Sequence, residues 1–572
     1  MFSTRSKRRL AAAAAAVLAA PLLWFAGTGT SSAAAAAPAE DWLHVSGNQI
    51  VDEAGNPVWL TGTNWFGFNA GERVFHGLWS ANLTEVTKSM ADRGINIVRV
   101  PISTQLLLEW KAGQAAVASG VNTYANPELT GKTTLQVFDA FLALCRQYGM
   151  KVLLDVHSAE ADNSGHNHPV WWKGTVTTEN FYQAWEWVTA RYKSDDTLVA
   201  MDIKNEPHGA QNETVRAKWD SSTDADNWKY VAETAAKRIL AINPKVLVLV
   251  EGIQVYPKPG STWSSPNTNP DQSSNFYNTW WGGNLRGVAE HPINLGANQD
   301  QLVYSPHDYG PLVFDQPWFQ KAFDKASLTT DVWTPNWLYV HDSGTAPLLV
   351  GEWGGRLGQD PRQDKWMTAL RDLIVEKHLH QTFWVLNPNS GDTGGLLLDD
   401  WKTWDEQKYA LLKPALWQYA GKFVSLDHQV PLGGAGSTTG ISLAARYGGG
   451  TEPTGPASPS ASVSVSPSTP PVPSGTCTAT YSQTGVWSGG FQGEVTIKNT
   501  GTAATRGWTA TWTNPAGTAV SSLWNGTLTT SGSTATVRNA AHNGALAPGA
   551  SATFGFVGTG PAPTPAVTCS AS

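Results

Sequence analysis

Two stretches of this 572-residue chain place a carboxylate where chemistry is possible. Val199-Ala200-Met201-Asp202-Ile203-Lys204 runs mostly apolar into Asn205-Glu206-Pro207, and Leu348-Leu349-Val350-Gly351 runs into Glu352-Trp353. Apolar runs of this kind read as strands buried on both faces. Pro207 cannot continue a central strand, so the first run stops at the polar pair. Glu206 and Glu352 thus end rigid, buried elements, and a buried carboxylate is costly unless partnered or functional. Two carboxylates facing one cavity suit cleavage of a glycosidic bond. One must be protonated to help the leaving oxygen depart, and the other ionised to attack or to activate water. Taken alone, Glu352 reads equally well as a structural ion-pair partner.

The elements that must hold these groups recur along the chain. Eight strand candidates are Val58–Gly62, Ile95–Ile102, Lys151–His157, Val199–Pro207, Lys245–Gly252, Leu302–Tyr309, Leu348–Gly355 and Thr382–Pro388. Helical patterns lie between them. Asn82 can cap Leu83–Arg93, Thr133 or Thr134 can cap Leu135–Tyr148, Thr178 precedes Phe181–Tyr192, Asn227 precedes Val231–Ile242, and Lys365–His378 fits the seventh crossover. Strands alternating with helices imply a parallel sheet, and eight over nearly 400 residues fit a (β/α)8 TIM barrel with long loops. The rival, an open doubly wound sheet, lacks a glycine-rich phosphate turn after its first strand. Polar residues collect at the predicted strand ends: Arg99, Asp155 and His157, Asn205 and Glu206, His307-Asp308-Tyr309, Glu352, and Trp384. Catalytic groups sit at that end of such barrels.

Composition bounds the rest. Charged residues make up 15 % and hydrophobic ones 41 %, so the bulk is globular. The 28 tryptophans offer flat faces on which sugar rings stack. With a formal charge of −7 and no basic stripe, nucleic acid is not an expected partner. Arg5, Lys7, Arg8 and Arg9 followed by the Ala-rich run from Leu10 read as a signal peptide over residues 1–37, exported by the Sec or twin-arginine route. The alternative, an N-terminal membrane anchor, would need a longer apolar run. Loss of those four positive charges takes the formal charge from −7 to −11. No membrane association is expected after that loss, and a secreted monomer is the expectation. Residues 38–430 are assigned to the barrel. Residues 431–475, Gly-rich and then Pro/Ser/Thr-rich, read as a linker. Residues 476–572 carry short β-rich runs and turns, an all-β sandwich. Cys477 and Cys569 bracket it and are expected to form a disulfide in an exported chain, while Cys145 reads as a buried hydrophobe.

The full set of motifs resembles glycoside hydrolase family 5 endoglucanases (cellulases) over about Trp42 to Val424. Its carriers are Gly62-Thr63-Asn64-Trp65-Phe66-Gly67, Arg99, His157, Asn205-Glu206-Pro207, His307-Asp308-Tyr309, Gly351-Glu352, and Trp384 with Asn387-Pro388-Asn389-Ser390-Gly391-Asp392-Thr393-Gly394-Gly395. The resemblance implies a retaining double displacement on internal β-1,4-glucosidic bonds, with Glu206 as acid/base and Glu352 as nucleophile. It implies substrate contacts from Trp65, Arg99, His157, Asn205, His307, Tyr309 and Trp384, and no cofactor. Trp171, Trp172 and Trp281 are further candidate sugar platforms, and the 280–284 loop another source of aromatics. Arg99 is expected to keep Glu352 ionised, and burial together with the Glu352 charge to raise the Glu206 pKa. The C-terminal part resembles family 2 carbohydrate-binding modules, which implies a cellulose-binding strip containing Trp487 and Trp524. His542 stands where that family has a third aromatic, and Trp508 reads as core.

Alternative readings are a β-mannanase or xyloglucanase on the same barrel, or a non-catalytic wall-binding protein. The intact pair of Glu206 and Glu352 speaks against the last. A metal reading of His157, Asp162, His166 and His168 is set aside, since the His-x-His lies in a polar loop, and no metal is expected.

Overall fold

Eight short strands run parallel and close on one another. A hairpin of β1 (Leu43–Ser46) and β2 (Gln49–Asp52) precedes the first of them, β3 (Thr61–Asn64). β4 (Ile97–Ser103), β5 (Lys151–Ser158), β6 (Leu198–Asp202) and β7 (Leu247–Val250) follow. The loop after β7 contains a second hairpin, β8 (Val255–Pro257) and β9 (Phe276–Asn278). β10 (Leu302–Tyr304), β11 (Leu349–Val350) and β12 (His380–Phe383) complete the set. The paired order is β10-β7-β6-β5-β4-β3-β12-β11, and parallel bridges Tyr304↔Leu348 and His307↔Glu352 join its two ends. This is the (β/α)8 barrel that the alternation predicts. The computed structural model describes residues 40–210, 213–266, 274–448, 477–487, 490–540 and 543–571. The expected signal peptide and most of the expected linker lie outside them.

Every residue of β4, β5 and β6 is buried, which is why those strands read as mostly apolar runs interrupted by a few polar residues. Helices cover the outside, and the main crossover helices are started by a side chain that accepts from a free backbone N–H. Asn82, Thr133, Asn227 and Asp360 cap Leu83–Asp92, Thr134–Gln147, Trp228–Ile242 and Pro361–Lys377. The cap of Thr178–Tyr192 is Thr177, one residue before the expected Thr178. Most barrel strands are shorter than the sequence reading, and β6, β10 and β11 end at Asp202, Tyr304 and Val350 before their polar residues. Val58 donates its N–H to Ile50 at 2.9 Å and stays with the first hairpin, so β3 begins only at Thr61. β12 pairs with β3 over Gln381–Phe383 and is limited by that short neighbour.

The expected boundary at residue 431 is corrected. β13 (Gln418–Tyr419), β14 (Lys422–Val424) and β15 (Gly440–Ile441) form a small sheet, followed by a helix at Leu443–Tyr447. Leu426, Leu432 and Leu443 are fully buried in the barrel core, so residues 431–448 belong to the folded domain. His428 fastens this segment. Its Nδ1 lies 2.6 Å from Asp41 Oδ1 and its Nε2 3.1 Å from Asp52 Oδ2, while Asp41 also receives Lys151 Nζ at 2.8 Å. One imidazole thus ties the C-terminal segment to the first hairpin and, through Asp41, to the base of β5.

The C-terminal unit is a separate sandwich of two four-stranded sheets. β16 (Cys477–Trp487), β17 (Gly490–Asn499), β19 (Ala519–Trp524) and β22 (Ser551–Thr559) make one. β18 (Trp508–Thr513), β20 (Gly526–Ser531), β21 (Thr534–Asn539) and β23 (Thr568–Ala571) make the other. Phe491, Trp508, Trp512, Phe554 and Phe556 fill the space between them, which places Trp508 in the core as expected. Cys477 and Cys569 are disulfide-bonded. The side chains of Trp487 and Trp524, and residue His542, lie outside what is described.

The His428 clamp predicts a bell-shaped stability contribution. Hydrogen bonding to Asp41 raises the His428 pKa, so its contribution is complete below the unfolded value near ~6.5 and fades as pH rises through the higher folded value. Burial pushes Asp41 up, but His428 and Lys151 outweigh it and hold it at about 2. Its contribution is therefore complete above ~3.9 and fades as pH falls toward the folded value. The His428→Asn variant should lose about 2 kcal/mol near pH 5. Thermal denaturation should show the gap to wild type narrowing below pH ~4 and above pH ~7, and a pH-independent gap would contradict the clamp.

Candidate active site

One cavity of about 820 Å³ opens at the carboxyl ends of the barrel strands. Both carboxylates reach it, and the strand ends explain how. Glu206 follows β6 by four residues, and Glu352 follows β11 by two and pairs as an isolated bridge with His307. His307 stands between them. Its Nδ1 is 3.0 Å from Glu206 Oε1 and 3.6 Å from Glu352 Oε2. One oxygen of each carboxylate and this ring nitrogen lie within 4.8 Å of one another. Such closeness fits the roughly 5–5.5 Å spacing of retaining glycosidases and is far below the ~6.5–9.5 Å that an inverting water requires.

Beneath the cavity floor lies a buried charge cluster. Arg99 is fully buried and contacts Asp202 (2.9 Å), Glu352 (2.8 Å), Glu251 (3.1 Å) and Asp155 (3.2 Å). It also donates to Asn64 Oδ1 and Asn205 Oδ1. Buried Lys204 adds a second cation; its Nζ bonds the carbonyls of His157 and Asn205. Five carboxylates, Asp155, Asp202, Glu206, Glu251 and Glu352, face Arg99 and Lys204, and burial lowers the pKa of the lysine. Several protons must therefore be shared inside the cluster. Burial raises Asp155 and Asp202 to about 6 despite Arg99. Burial also raises Glu352, helped by the charge of Glu206 and opposed by His307 and Arg99.

Glu206 departs from the expectation. Burial pushes its carboxyl up, but the hydrogen bond and charge of His307 outweigh that and hold it down at about 2. Burial pushes the His307 pKa down, but Glu251, Glu352 and Glu206 around the ring outweigh that and raise it well above normal. Sequence could place Glu206 and Glu352 together but not the imidazole between them.

Glu206 also has a left-handed backbone, with φ at +47°. For a residue with a side chain this costs about 1–3 kcal/mol and needs outside support. Glu251, one residue past β7, supplies it: its Oε2 accepts the Glu206 N–H at 2.7 Å. A Cβ on Gly282 would meet that Oε2 at 2.3 Å, so glycine there lets the carboxylate approach.

The predicted contact residues divide into those on the cavity wall and those behind it. His157, Tyr309, Trp384 and Trp281 line it. Tyr309 donates its hydroxyl to Glu352 Oε2 at 2.6 Å. His157 Nδ1 lies 2.7 Å from Asp155, and its ring lies parallel to Trp384 at 5.7 Å. Asn205 is fully buried; Arg99 takes its Oδ1, and its Nδ2 has no hydrogen-bond partner among the described residues. Three expectations are corrected. Trp65 is 1 % exposed, stacked on Phe75 at 4.1 Å with its indole N–H on His76 O, so it is core. Its neighbour Phe66 lines the cavity instead and stacks with Trp384 at 5.6 Å. Arg99 cannot touch a ligand from its buried position, and it serves the carboxylates. Trp171 is fully buried, and Trp172 is packed beside it, off the wall. Trp280 and Phe314, from the loops after β7 and β10, extend the wall.

The set of His157, Asp162, His166 and His168 does not converge, and His168 Nε2 is taken by the Trp172 carbonyl at 2.7 Å. Glu206, His307 and Glu352 do converge, as do Asp202, Glu251 and His307. In both groups Arg99 is already the counter-cation of at least one carboxylate.

A family model described as cellulase (glycosyl hydrolase family 5) matches residues 51–390, and one described as cellulose binding domain matches 477–571. Endoglucanase G of Acetivibrio thermocellus is 50 % identical over 451 residues, covering 74 % of this chain and 79 % of that protein. Endoglucanase B of the same organism is 45 % identical over 69 % of this chain and 76 % of its own. A cellotetraose complex of the endocellulase from Pyrococcus horikoshii superposes with a TM-score of 0.58 at 33 % identity, over 66 % of this chain and 98 % of that one.

Arg99 generates a stability prediction. Arg99→Met should destabilise the barrel by about 3–5 kcal/mol, because several carboxylates lose their counter-charge at once. Arg99→Lys should recover only part of this, since an ammonium cannot reproduce the planar fork. Denaturant midpoints of the three proteins measure it, and a lysine variant as stable as wild type would contradict the forked arrangement.

Proposed function

The chain belongs to glycosyl hydrolase family 5, the cellulases, and from that premise we propose that Glu206 and Glu352 hydrolyse glucan by a retaining double displacement. The protein is an endoglucanase carrying a cellulose-binding module. The observation that carries the mechanistic reading is the short separation of the two carboxylates within 4.8 Å, bridged by His307.

In the first step Glu352 attacks the anomeric carbon. Arg99 and Tyr309 each donate to one of its oxygens, which orients the carboxylate, and the Arg99 charge opposes the rise in pKa that burial and Glu206 impose. Glu206 gives a proton to the departing oxygen. His307 Nδ1 lies 3.0 Å from Glu206 Oε1, so a proton held on that nitrogen passes to Glu206 as the leaving oxygen gains charge. In the second step Glu206 takes a proton from water, and that water displaces Glu352 from the sugar. The unpartnered Asn205 Nδ2 is a donor available to a sugar hydroxyl beside the reacting carbon. Phe66, Trp384, Trp280 and Trp281 supply faces on which pyranose rings can stack.

The rest of the proposal concerns delivery. Residues 1–37 act as a signal for export, and the mature protein works outside the cell as a monomer. The segment after residue 448 tethers the module of residues 476–572, whose face includes Trp487 and Trp524. Tethering raises the barrel's local concentration on insoluble cellulose without adding contacts at the active site.

Glu206→Gln and Glu352→Gln should each lower reducing-sugar release from soluble cellulose by at least about 1,000-fold while leaving the fold intact. Equal activity in wild type and either variant would overturn the assignment. Truncation after residue 455 should abolish adsorption to insoluble cellulose and leave turnover of cellotetraose within about 2-fold. Full adsorption by the truncated protein would place the binding face elsewhere.

A further inference from the structure

Two contacts of Glu251 reach the reacting groups from opposite sides, and the mechanism above leaves that residue unused. Its Oε2 holds the N–H of Glu206 at 2.7 Å. Its Oε1 lies 3.2 Å from His307 Nε2 and 3.1 Å from Arg99 Nη2. Both oxygens therefore face donors. The side chain is fully buried, its own carbonyl accepts the indole N–H of Trp228 at 2.8 Å, and glycine at 282 leaves it room. The Glu251 contact at 3.2 Å is a close ion-pair approach, and Nε2 makes no hydrogen bond among the described residues.

We propose that Glu251 is a positioning residue that orients and charges His307 so that the ring can supply the acid proton to Glu206. The inference rests on the reading of Glu206 as acid/base. A lone pair on Nε2 would point at a carboxylate in a dry site, so Nε2 keeps its hydrogen and Nδ1 becomes the exchanging nitrogen. When the proton moves, the Nδ1–H bond breaks and an O–H bond forms on Glu206 Oε1. The imidazolium becomes neutral imidazole and still holds Nε2–H against Glu251. Glu206 then delivers that proton to the leaving oxygen, and the proton taken from water in the second step returns along the same path. The net reaction consumes one water and leaves every side chain as it began. The logic is that of a buried carboxylate fixing the tautomer of a catalytic histidine. By gripping the Glu206 N–H, the same side chain also holds the left-handed turn that aims Glu206 at the cavity.

The charged and titratable groups facing Glu251 are Arg99 from β4, Asp202 at the end of β6, Lys204 and Glu206 beyond it, and His307 beyond β10. Burial raises the Glu251 carboxyl to about 8, with His307 and Arg99 opposing it, so this carboxyl and the His307 ring 3.2 Å away compete for the same proton. Replacing Glu251 by glutamine removes that partner and the negative charge it can place beside the imidazolium, so protonated His307 is lost at a lower pH. The basic limb of kcat/KM should move down accordingly.

The test compares two substrates that differ in their need for an acid. Cellotetraose has a poor leaving group, whereas dinitrophenyl β-cellobioside departs without a proton. Glu251→Gln should lower kcat on cellotetraose about 100-fold, keep KM within about 3-fold and leave the aryl substrate within about 5-fold. Glu251→Asp, which keeps the charge, should hold the basic limb near its wild-type position. In wild-type protein labelled with ¹⁵N at histidine, NMR should find His307 Nε2 protonated throughout the active pH range, a result independent of how any variant folds. Equal losses on both substrates with an unmoved basic limb, or a deprotonated Nε2 in the wild type, would overturn the inference. Inactive Glu206→Gln and Glu352→Gln proteins beside such a result would remove Glu251's role alone. Active ones would remove the reading of the whole site.

Discussion

The guanidinium of Arg99 is the constraint on which the barrel's chemistry depends. Four carboxylates from four different strand ends converge on it within 3.2 Å, in a place without water access. Each of them would be expelled from such a site if it stood alone. Because the fork is planar and its donors are spread over three nitrogens, separate partners can be served without displacing one another. This arrangement is weak evidence for net stability, since desolvation offsets much of the attraction. Its value lies in fixing where negative charge may sit. Glu352 is held by one of those donors and is thereby aimed into the cavity.

The same scarcity of cations explains the behaviour of the proton. With only Arg99 and Lys204 against five acids, the cluster retains protons, and the imidazole between Glu206 and Glu352 is the group best placed to carry one. A low pKa on Glu206 is then compatible with an acid's role. The proton waits one hydrogen bond away, and the left-handed turn at Glu206 keeps donor and acceptor in reach. Aromatic rings do the complementary work. His157, Trp384 and Phe66 form a stacked file on one side, and His208 stacks on Trp281 at 3.8 Å on the other. Between them they leave a groove with apolar faces and polar edges, a shape suited to a ribbon of pyranose rings.

Much of this was legible from residue order, and the failures have physical causes. Apolar runs that end on Glu206, His307, Tyr309 and Glu352 announce both the barrel and its working end. The same rule applied to Leu247-Val248-Leu249-Val250-Glu251 singles out Glu251 as well. Asp155 and Asp202 stand near the ends of buried strands, where only the Arg99 contact reveals their purpose. Trp65 and Phe66 are adjacent at a strand end, and side chains there point in opposite directions. Sequence names the pair but not the phase, and the larger ring went inward. Around residue 431 the glycines concealed Leu432 and Leu443, two isolated leucines that anchor an irregular segment to the core. The pKa of Glu206 needed the position of His307, which lies 101 residues away in the chain.

A covalent trap examines the central claim most directly. Incubation with a 2-fluoro cellobioside bearing a good leaving group slows release of the intermediate, and peptide mass mapping then locates the attached sugar. The account predicts one equivalent of sugar on the peptide containing Glu352, joined through its carboxylate. Attachment at Glu206, or cleavage with inversion and no attached sugar, would contradict it.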